Sequence, residues 1–308
     1  MRAVLQRAWG DPLEVAEVPT PRPAPGDVLV RVFAAGVNPV DHYTAIGQAY
    51  NMVLSLPHTH GWDVAGVVEQ VGYGVTRFAP GDRVYGMPWF PRAAGAFADY
   101  LTAPARHLAP MPEGLGFPEA AALPLAGLTA WQILNEVAGV TAGQRVLVSG
   151  AAGGVGHLAV QIAKARGAHV IGTASPPKHE FVRALGADEV VDHRTGPPAR
   201  DVDVVVQMFG GEHGLAALRA LRPGGLLVSG QSAWTPGLHE RAAELGVRAV
   251  GYLVDPDAAG LAALTDLVHK GQLSPHVSET FPLTDAQRAL NLLAEGRTTG
   301  KVVLTVTD

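Results

Sequence analysis

Seven residues, Gly150-Ala151-Ala152-Gly153-Gly154-Val155-Gly156, follow at once on a short apolar run at 145–149. They lead into a segment where Val155, Leu158, Ala159 and Ile162 fall on one helical stripe. Small side chains let a backbone approach a pyrophosphate, and a helix N-terminus offers unpaired N–H groups and a positive dipole end. An ordinary tight turn also uses glycine, but the strand–loop–helix context favours a dinucleotide site. The next apolar run ends in Thr173-Ala174-Ser175-Pro176-Pro177-Lys178. A site selective for NAD places a carboxylate there for the ribose 2′-hydroxyl. None is present, while Ser175 offers a hydrogen bond and Lys178 a charge, so the pattern points to NADPH. His193 and Arg194, beyond the third apolar run, are candidates for the same phosphate. The competing reading makes Lys178 a solvated helix-start lysine.

Metal chemistry has few candidates. The chain lacks cysteine, which removes thiolate ligands, disulfides and a cysteine nucleophile. His58-Thr59-His60 would put two rings on one face of a strand, with His42 nearby. No third ligand is identifiable, and a loop of surface histidines after Pro57 is the expectation. Of the acids Asp41, Asp63 and Glu69, the first two are expected to hold loops by hydrogen bonding rather than to form a catalytic pair.

The elements that would carry these groups divide in two. Up to about residue 110, apolar segments at 28–32, 64–71 and 97–101 alternate with turns such as Pro25-Gly26-Asp27 and Pro80-Gly81-Asp82. From about Pro118, helical stretches alternate with β-branched runs at 145–149, 169–173, 189–192, 202–206, 226–229 and 247–253. That alternation is the mark of a parallel sheet wound with helices on both faces. Phe209-Gly210 and Ser229-Gly230 then stand at strand C-terminal ends, where cofactors bind. A helix after Pro256, a strand at 276–281, a helix at 284–295 and a strand at 301–306 close the chain.

With 308 residues, 47% hydrophobic and 17% charged, the composition suits an ordered two-core protein. A net charge of -5 gives no basic face for nucleic acid. Neither a signal-peptide core nor a membrane-length apolar run is present, so the cytoplasm is the default expectation.

Taken together, several segments resemble the quinone oxidoreductase (zeta-crystallin-like) family, a zinc-free branch of the medium-chain dehydrogenase/reductase superfamily. They are Gly36-Val37-Asn38-Pro39-Val40-Asp41, Asp63-Val64-Ala65-Gly66-Val67-Val68-Glu69, Phe78-Ala79-Pro80-Gly81-Asp82-Arg83-Val84, the stretch 120–131, the loop 151–156, and Gly300-Lys301-Val302-Val303-Leu304. They run nearly end to end. The resemblance implies an α/β chain with a GroES-like β-rich catalytic domain (1–116 with 258–308) and a Rossmann domain (117–257) that binds NADP. It puts Asn38, Trp62 and the vicinity of Leu125 where zinc-dependent relatives carry their ligands, so no zinc is expected.

It further implies hydride transfer from NADPH to a quinone or conjugated enone. Asn38 and Tyr43 fall on active-site positions, Thr129 on a nicotinamide contact and Lys301 on a cofactor position. Each has a plainer reading: Asn38 as a turn residue, Tyr43 as packing, Thr129 as a helix cap. Trp62 is the aromatic best placed to line a flat apolar pocket, ahead of Trp89, Phe90 and Trp234. At Gln207-Met208-Phe209 the chain departs from relatives that carry an acid and smaller side chains. A homodimer through the sixth strand is expected. Alternatives are reduction of an enoyl thioester or alkenal, and NADPH binding without turnover.

Overall fold

The computed structural model describes residues 1–192, Arg194 and 199–306. It divides into two compact units. One comprises Met1–Leu128, Asp255–His269 and Pro275–Asp308; the other comprises Thr129–Val254 and Lys270–Ser274. The stretch 117–128, placed by sequence in the wound domain, thus lies with the first unit.

The first unit is built on the long strand Asp27–Val37. Its apolar side chains are buried along most of its length, because it pairs with three neighbours: Val64–Val71, Tyr100–Pro104 and Lys301–Thr305, all antiparallel. Register shifts at Leu29/Val30 and Val32/Ala34 let it serve different partners at its two ends. Lys301–Thr305 pairs in parallel with Val277–Pro282 at the sheet edge. The C-terminal tail therefore completes this sheet. Val30, Val32, Val64, Val84, Phe97, Leu101 and Leu304 fill the core beneath it.

The second unit is a six-stranded parallel sheet. Numbered along the unit, its strands are Arg145–Val148, His169–Thr173, Glu189–Val191, Val202–Gln207, Leu221–Ser229 and Arg248–Gly251. Their spatial order is 3-2-1-4-5-6, the doubly wound arrangement that the alternating runs imply. The helix Gly154–Ala165 returns from the first strand. It buries Leu158, Ala159, Val160, Ile162 and Ala163, a wider apolar face than the four-residue stripe. The sixth strand is an edge, with Val250 and Leu253 exposed.

Candidate active site and dinucleotide loop

In the first unit, Asn38 is the N-cap of the short helix Pro39–Ala45, with Pro39 at its first position. The Asp41 carboxylate accepts the Asn38 backbone N–H at 2.8 Å, which leaves the Asn38 side chain to point elsewhere. Its Nδ2 donates to Asp63 Oδ2 at 2.8 Å, and its Oδ1 accepts from the Lys301 ammonium. Lys301 Nζ also donates to the Val37 carbonyl at 3.1 Å and to Asp63 Oδ2 at 3.3 Å. The other Asp63 oxygen accepts the Leu125 backbone N–H at 2.7 Å. Asn38, Asp63 and Lys301 are 2%, 0% and 3% exposed, so this is a buried, closed network.

Gly36 permits it: a Cβ there would stand 2.7 Å from Asp63 Oδ2 and 2.3 Å from the Ala121 carbonyl. The arrangement fixes the amide, since a flipped Asn38 would face its NH₂ to an ammonium and its oxygen to a carboxylate. One Asn38 N–H stays uncommitted to this network.

Burial pushes the Asp63 carboxyl up; the Lys301 charge, the Asn38 amide and the Leu125 N–H pull it back. Asp41 is pushed up to about 8, chiefly by burial and further by Asp63, against the Asn38 N–H bond. Both acids are held by hydrogen bonds within the unit, as their sequence setting suggests, and Lys301 joins the same network. A primary ammonium has three N–H groups, and all three acceptors lie inside this unit. Lys301 therefore holds the Asn38 side-chain oxygen in place. A signal for this was in the sequence. Asp63 sits in apolar surroundings and needs a buried cation, and Lys301 is the cation of an otherwise apolar closing strand.

Two further readings need correction. His58 and His60 are not surface residues: they are 3% and 0% exposed. Their rings do share a face, 4.6 Å apart edge to face, and His60 Nε2 lies 3.0 Å from Gln6 Oε1. Burial lowers His58 to about 4, and burial with the neighbouring ring lowers His60 to about 3. Trp62, expected to face a flat apolar pocket, is 1% exposed. It is buried, with its indole N–H on the Arg92 carbonyl at 2.8 Å and its ring edge-on to Phe90 at 5.3 Å. Tyr43 is the aromatic of this region with a half-exposed ring, edge-on to His42. Among the described residues no three His, Cys, Asp or Glu side chains converge as a metal cluster would require.

The second unit gathers the remaining candidates at the C-terminal ends of its strands. Gly150, at φ +64°, turns the chain out of the first strand. The Gly150 N–H is held by Thr173 Oγ1 at 3.0 Å and the Ala151 N–H by the Thr173 carbonyl at 2.9 Å. Ala152 follows, buried, and Gly153 caps the helix Gly154–Ala165. The N–H groups of Gly154, Val155 and Gly156 open that helix and have no acceptor within it. A Cβ on Gly156 would meet the Gly150 carbonyl at 2.2 Å, so only glycine lets loop and helix close up.

Ser175 and Lys178 are half-buried after the second strand, and burial lowers the lysine. Arg194 pairs with Asp192 at 2.8 Å. His193 lies outside the described residues. Phe209-Gly210 and Ser229-Gly230 follow the fourth and fifth strands, where Ser229 Oγ accepts the Gln231 N–H. Thr129 is buried within the helix Pro124–Trp131, not at its start.

Residues 24–113 match the alcohol dehydrogenase GroES-like domain and 185–304 the zinc-binding dehydrogenase family. The quinone oxidoreductase of Mus musculus is 33% identical over 326 residues, 99% of this chain and 97% of that protein. The chain belongs to the quinone oxidoreductase family of medium-chain dehydrogenases/reductases. A quinone oxidoreductase from Coxiella burnetii superposes with TM-score 0.92 at 34% identity, covering 100% of this chain and 99% of that one. The spectinabilin polyketide synthase protein NorB of Streptomyces orinoci is 41% identical over 297 residues; they are 92% of this chain but 13% of that protein. Solved relatives differ in cofactor. A mycobacterial protein is complexed with NADPH (31% identity, TM-score 0.90, 99% of this chain and 100% of that one). Another is an NAD-dependent alcohol dehydrogenase (36%, TM-score 0.90, 100% of each).

A zinc ion does not fit the residues of this family member. Asn38 presents its oxygen to an ammonium, Trp62 has no lone pair to give, and Leu125 offers an N–H to Asp63. A nicotinamide dinucleotide does fit the second unit, on the closed glycine loop and the open helix N-terminus.

Proposed function

We propose that this oxidoreductase reduces quinones or conjugated enones with NADPH and without zinc. The observation that carries the reading is the pinned Asn38 amide with one N–H in hand, in a family whose second domain here keeps an intact dinucleotide loop. Bound NADPH would supply the hydride. Ala151, Ala152 and Gly153–Gly156 would take the pyrophosphate, and Ser175 and Lys178 the 2′-phosphate. Phe209-Gly210, Ser229-Gly230 and Thr129 would take the nicotinamide half.

The residues of the first unit would do the rest. The remaining Asn38 N–H donates to the substrate oxygen as negative charge develops on it. Lys301 and Asp63 keep that N–H aimed and contribute no proton themselves. The half-exposed Tyr43 hydroxyl steadies the substrate, and water, which reaches the same ring, returns the proton. A single neutral donor suits acceptors that are already electrophilic. The chain is proposed to act as a homodimer, paired through the exposed sixth strand.

The test is NADPH oxidation across ortho- and para-quinones, alkenals and enoyl thioesters. Quinones and enones turned over well above the thioesters support the reading; thioesters as the preferred substrates refute it. That second reading, an enoyl thioester reductase, is favoured by the 41% identity to a polyketide synthase protein. Tyr43→Phe sharpens the comparison: it should slow alkenals more than quinones, whose reduced oxygen protonates readily from water.

A further inference from the structure

The surroundings of Asn38 hold two buried carboxyls and one cation. Asp41 and Asp63 are both 0% exposed, and the Lys301 ammonium is the cation that acts on both. Two bare carboxylates would leave an uncompensated negative charge in a closed interior, which burial penalises heavily. One of the pair is therefore expected to keep its proton.

The hydrogen bonds say which. Asp63 meets donors at both oxygens: the Leu125 N–H at Oδ1, and the Asn38 amide and Lys301 ammonium at Oδ2. Donors on both sides favour the charged form. Asp41 differs. Its Oδ2 accepts the Asn38 backbone N–H at 2.8 Å, while its Oδ1 is buried without a hydrogen-bond partner. The three Lys301 N–H groups go to Val37, Asn38 and Asp63 instead. Asp41 Oδ1 thus has room for a proton.

The neighbouring elements agree. Burial is the largest influence on Asp41, followed by the Asn38 N–H, which opposes it; Asp63 and Lys301 are the charged groups that act on it, in opposite directions. On its own helix, His42 lies edge-on to Tyr43. His60, beside Gly61, is turned to Gln6. The helix Ala286–Ala294, packed on Pro39–Ala45, buries Ala286, Ala289 and Leu290, and its Arg288 pairs with Asp285.

We propose that Asp41 is a positioning residue whose neutral acid form keeps Lys301 on Asn38, so that the amide donor stays aimed while Asp41 holds its proton. Loss of that proton to solvent sets a second carboxylate against Asp63 and draws the ammonium away from Asn38 Oδ1. The amide then loses the contact that fixes which way its N–H points. The proposal rests on the reading of Asn38 as the substrate's hydrogen-bond donor and adds a residue that touches no reactant.

Two measurements on the full chain test it. Infrared difference spectra, unaltered chain minus Asp41→Asn at about pH 6.5, should show the C=O band of a neutral carboxylic acid that the variant lacks. Absence of that band would overturn the proposal. The second measurement is kcat/KM for NADPH oxidation with a small para-quinone, with circular dichroism checking that both proteins stay folded. With Asp41 titrating at about 8, the unaltered chain should lose about tenfold between about pH 6.5 and about pH 9. Asp41→Asn has no such proton to lose and keeps an oxygen for the Asn38 N–H. It should retain its own value across that range to within about twofold. A flat profile in the unaltered chain, or the same alkaline loss in Asp41→Asn, would overturn the proposal. If no quinone or enone is turned over at any pH, the donor reading fails and the proposal with it, an outcome told apart by an infrared band that is still present.

Discussion

Replacing Lys301 with Met keeps most of the side-chain volume and removes one charge and three hydrogen bonds from a network that is closed to solvent. Breaking a buried ion pair by deleting one partner typically costs about 3–5 kcal/mol. Asp63 here keeps the Asn38 amide at 2.8 Å and the Leu125 N–H at 2.7 Å. Its charge is therefore not wholly stranded, and the lower end, about 3 kcal/mol, is expected. The loss should depend on pH. Burial already pushes Asp63 up, with Lys301 the first of the influences holding it down, so the variant raises its folded value further. A group raised on folding contributes stability that is lost as pH rises. Lys301→Met should therefore lose more at about pH 8 than at about pH 5, where Asp63 can escape by protonation. Urea unfolding at the two pH values measures this. Adding Asp63→Asn strands no charge and should recover more than half of the loss, a coupling that double-mutant analysis isolates. A loss below about 1 kcal/mol at both pH values, or a double variant as unstable as the sum of the singles, would refute the assignment of a closed ion-pair network.

Other groups give separate tests. Asp41 is raised on folding to about 8, so it contributes stability below about pH 4 that is lost as pH rises towards 8; Asp41→Asn should flatten that alkaline decline in an unfolding series across pH. His58, lowered to about 4, works in the other direction: it costs stability as pH falls from about 6.5 towards 4. His58→Phe, which keeps a ring beside Trp9, should gain up to about 2 kcal/mol over the unaltered chain at about pH 5 and little at about pH 7, as read by thermal unfolding at each pH. Lys178→Ala should weaken NADPH about tenfold to a hundredfold and leave NADH nearly unchanged, and Ser175→Asp should turn the preference towards NADH; dissociation constants for both cofactors decide it, and equal losses would make Lys178 an ordinary surface lysine.

How far the sequence could be read depended on whether a feature was local. The glycine loop and the six β-branched runs are written in patterns of a few residues, and the structure has each of them. The closing strand was visible as a strand, yet its partner was not, because its pairing with Asp27–Val37 joins residues more than 260 apart. Burial was misjudged where polarity and surroundings conflict. His58 and His60 follow a Pro and look solvent-facing, but the His58–Thr59 strand pairs with Arg2–Gln6 and turns both rings inward. Trp62 was assigned an open face, whereas the ring of Phe90 and the carbonyl of Arg92 pack against it. Lys301 shows the same limit from the other side. Its position was recognised through resemblance, whereas its function follows only from three acceptors that long-range folding brings to one ammonium.

The Asn38 network also bears on which substrates can react. A metal ion at this place would present a full positive charge to the substrate oxygen and hold it there through the reaction. Lys301 brings a positive charge to the same neighbourhood, but it is spent on the Val37, Asn38 and Asp63 oxygens. The donor proposed to meet the substrate is one amide N–H whose direction the ammonium and carboxylate fix. Such a donor, when preorganised, contributes about 2.7–4 kcal/mol to stabilising a developing oxyanion. On the proposed reading, a buried neutral donor favours acceptors that carry their own electrophilicity, and substrate range would follow from the charges placed around one asparagine.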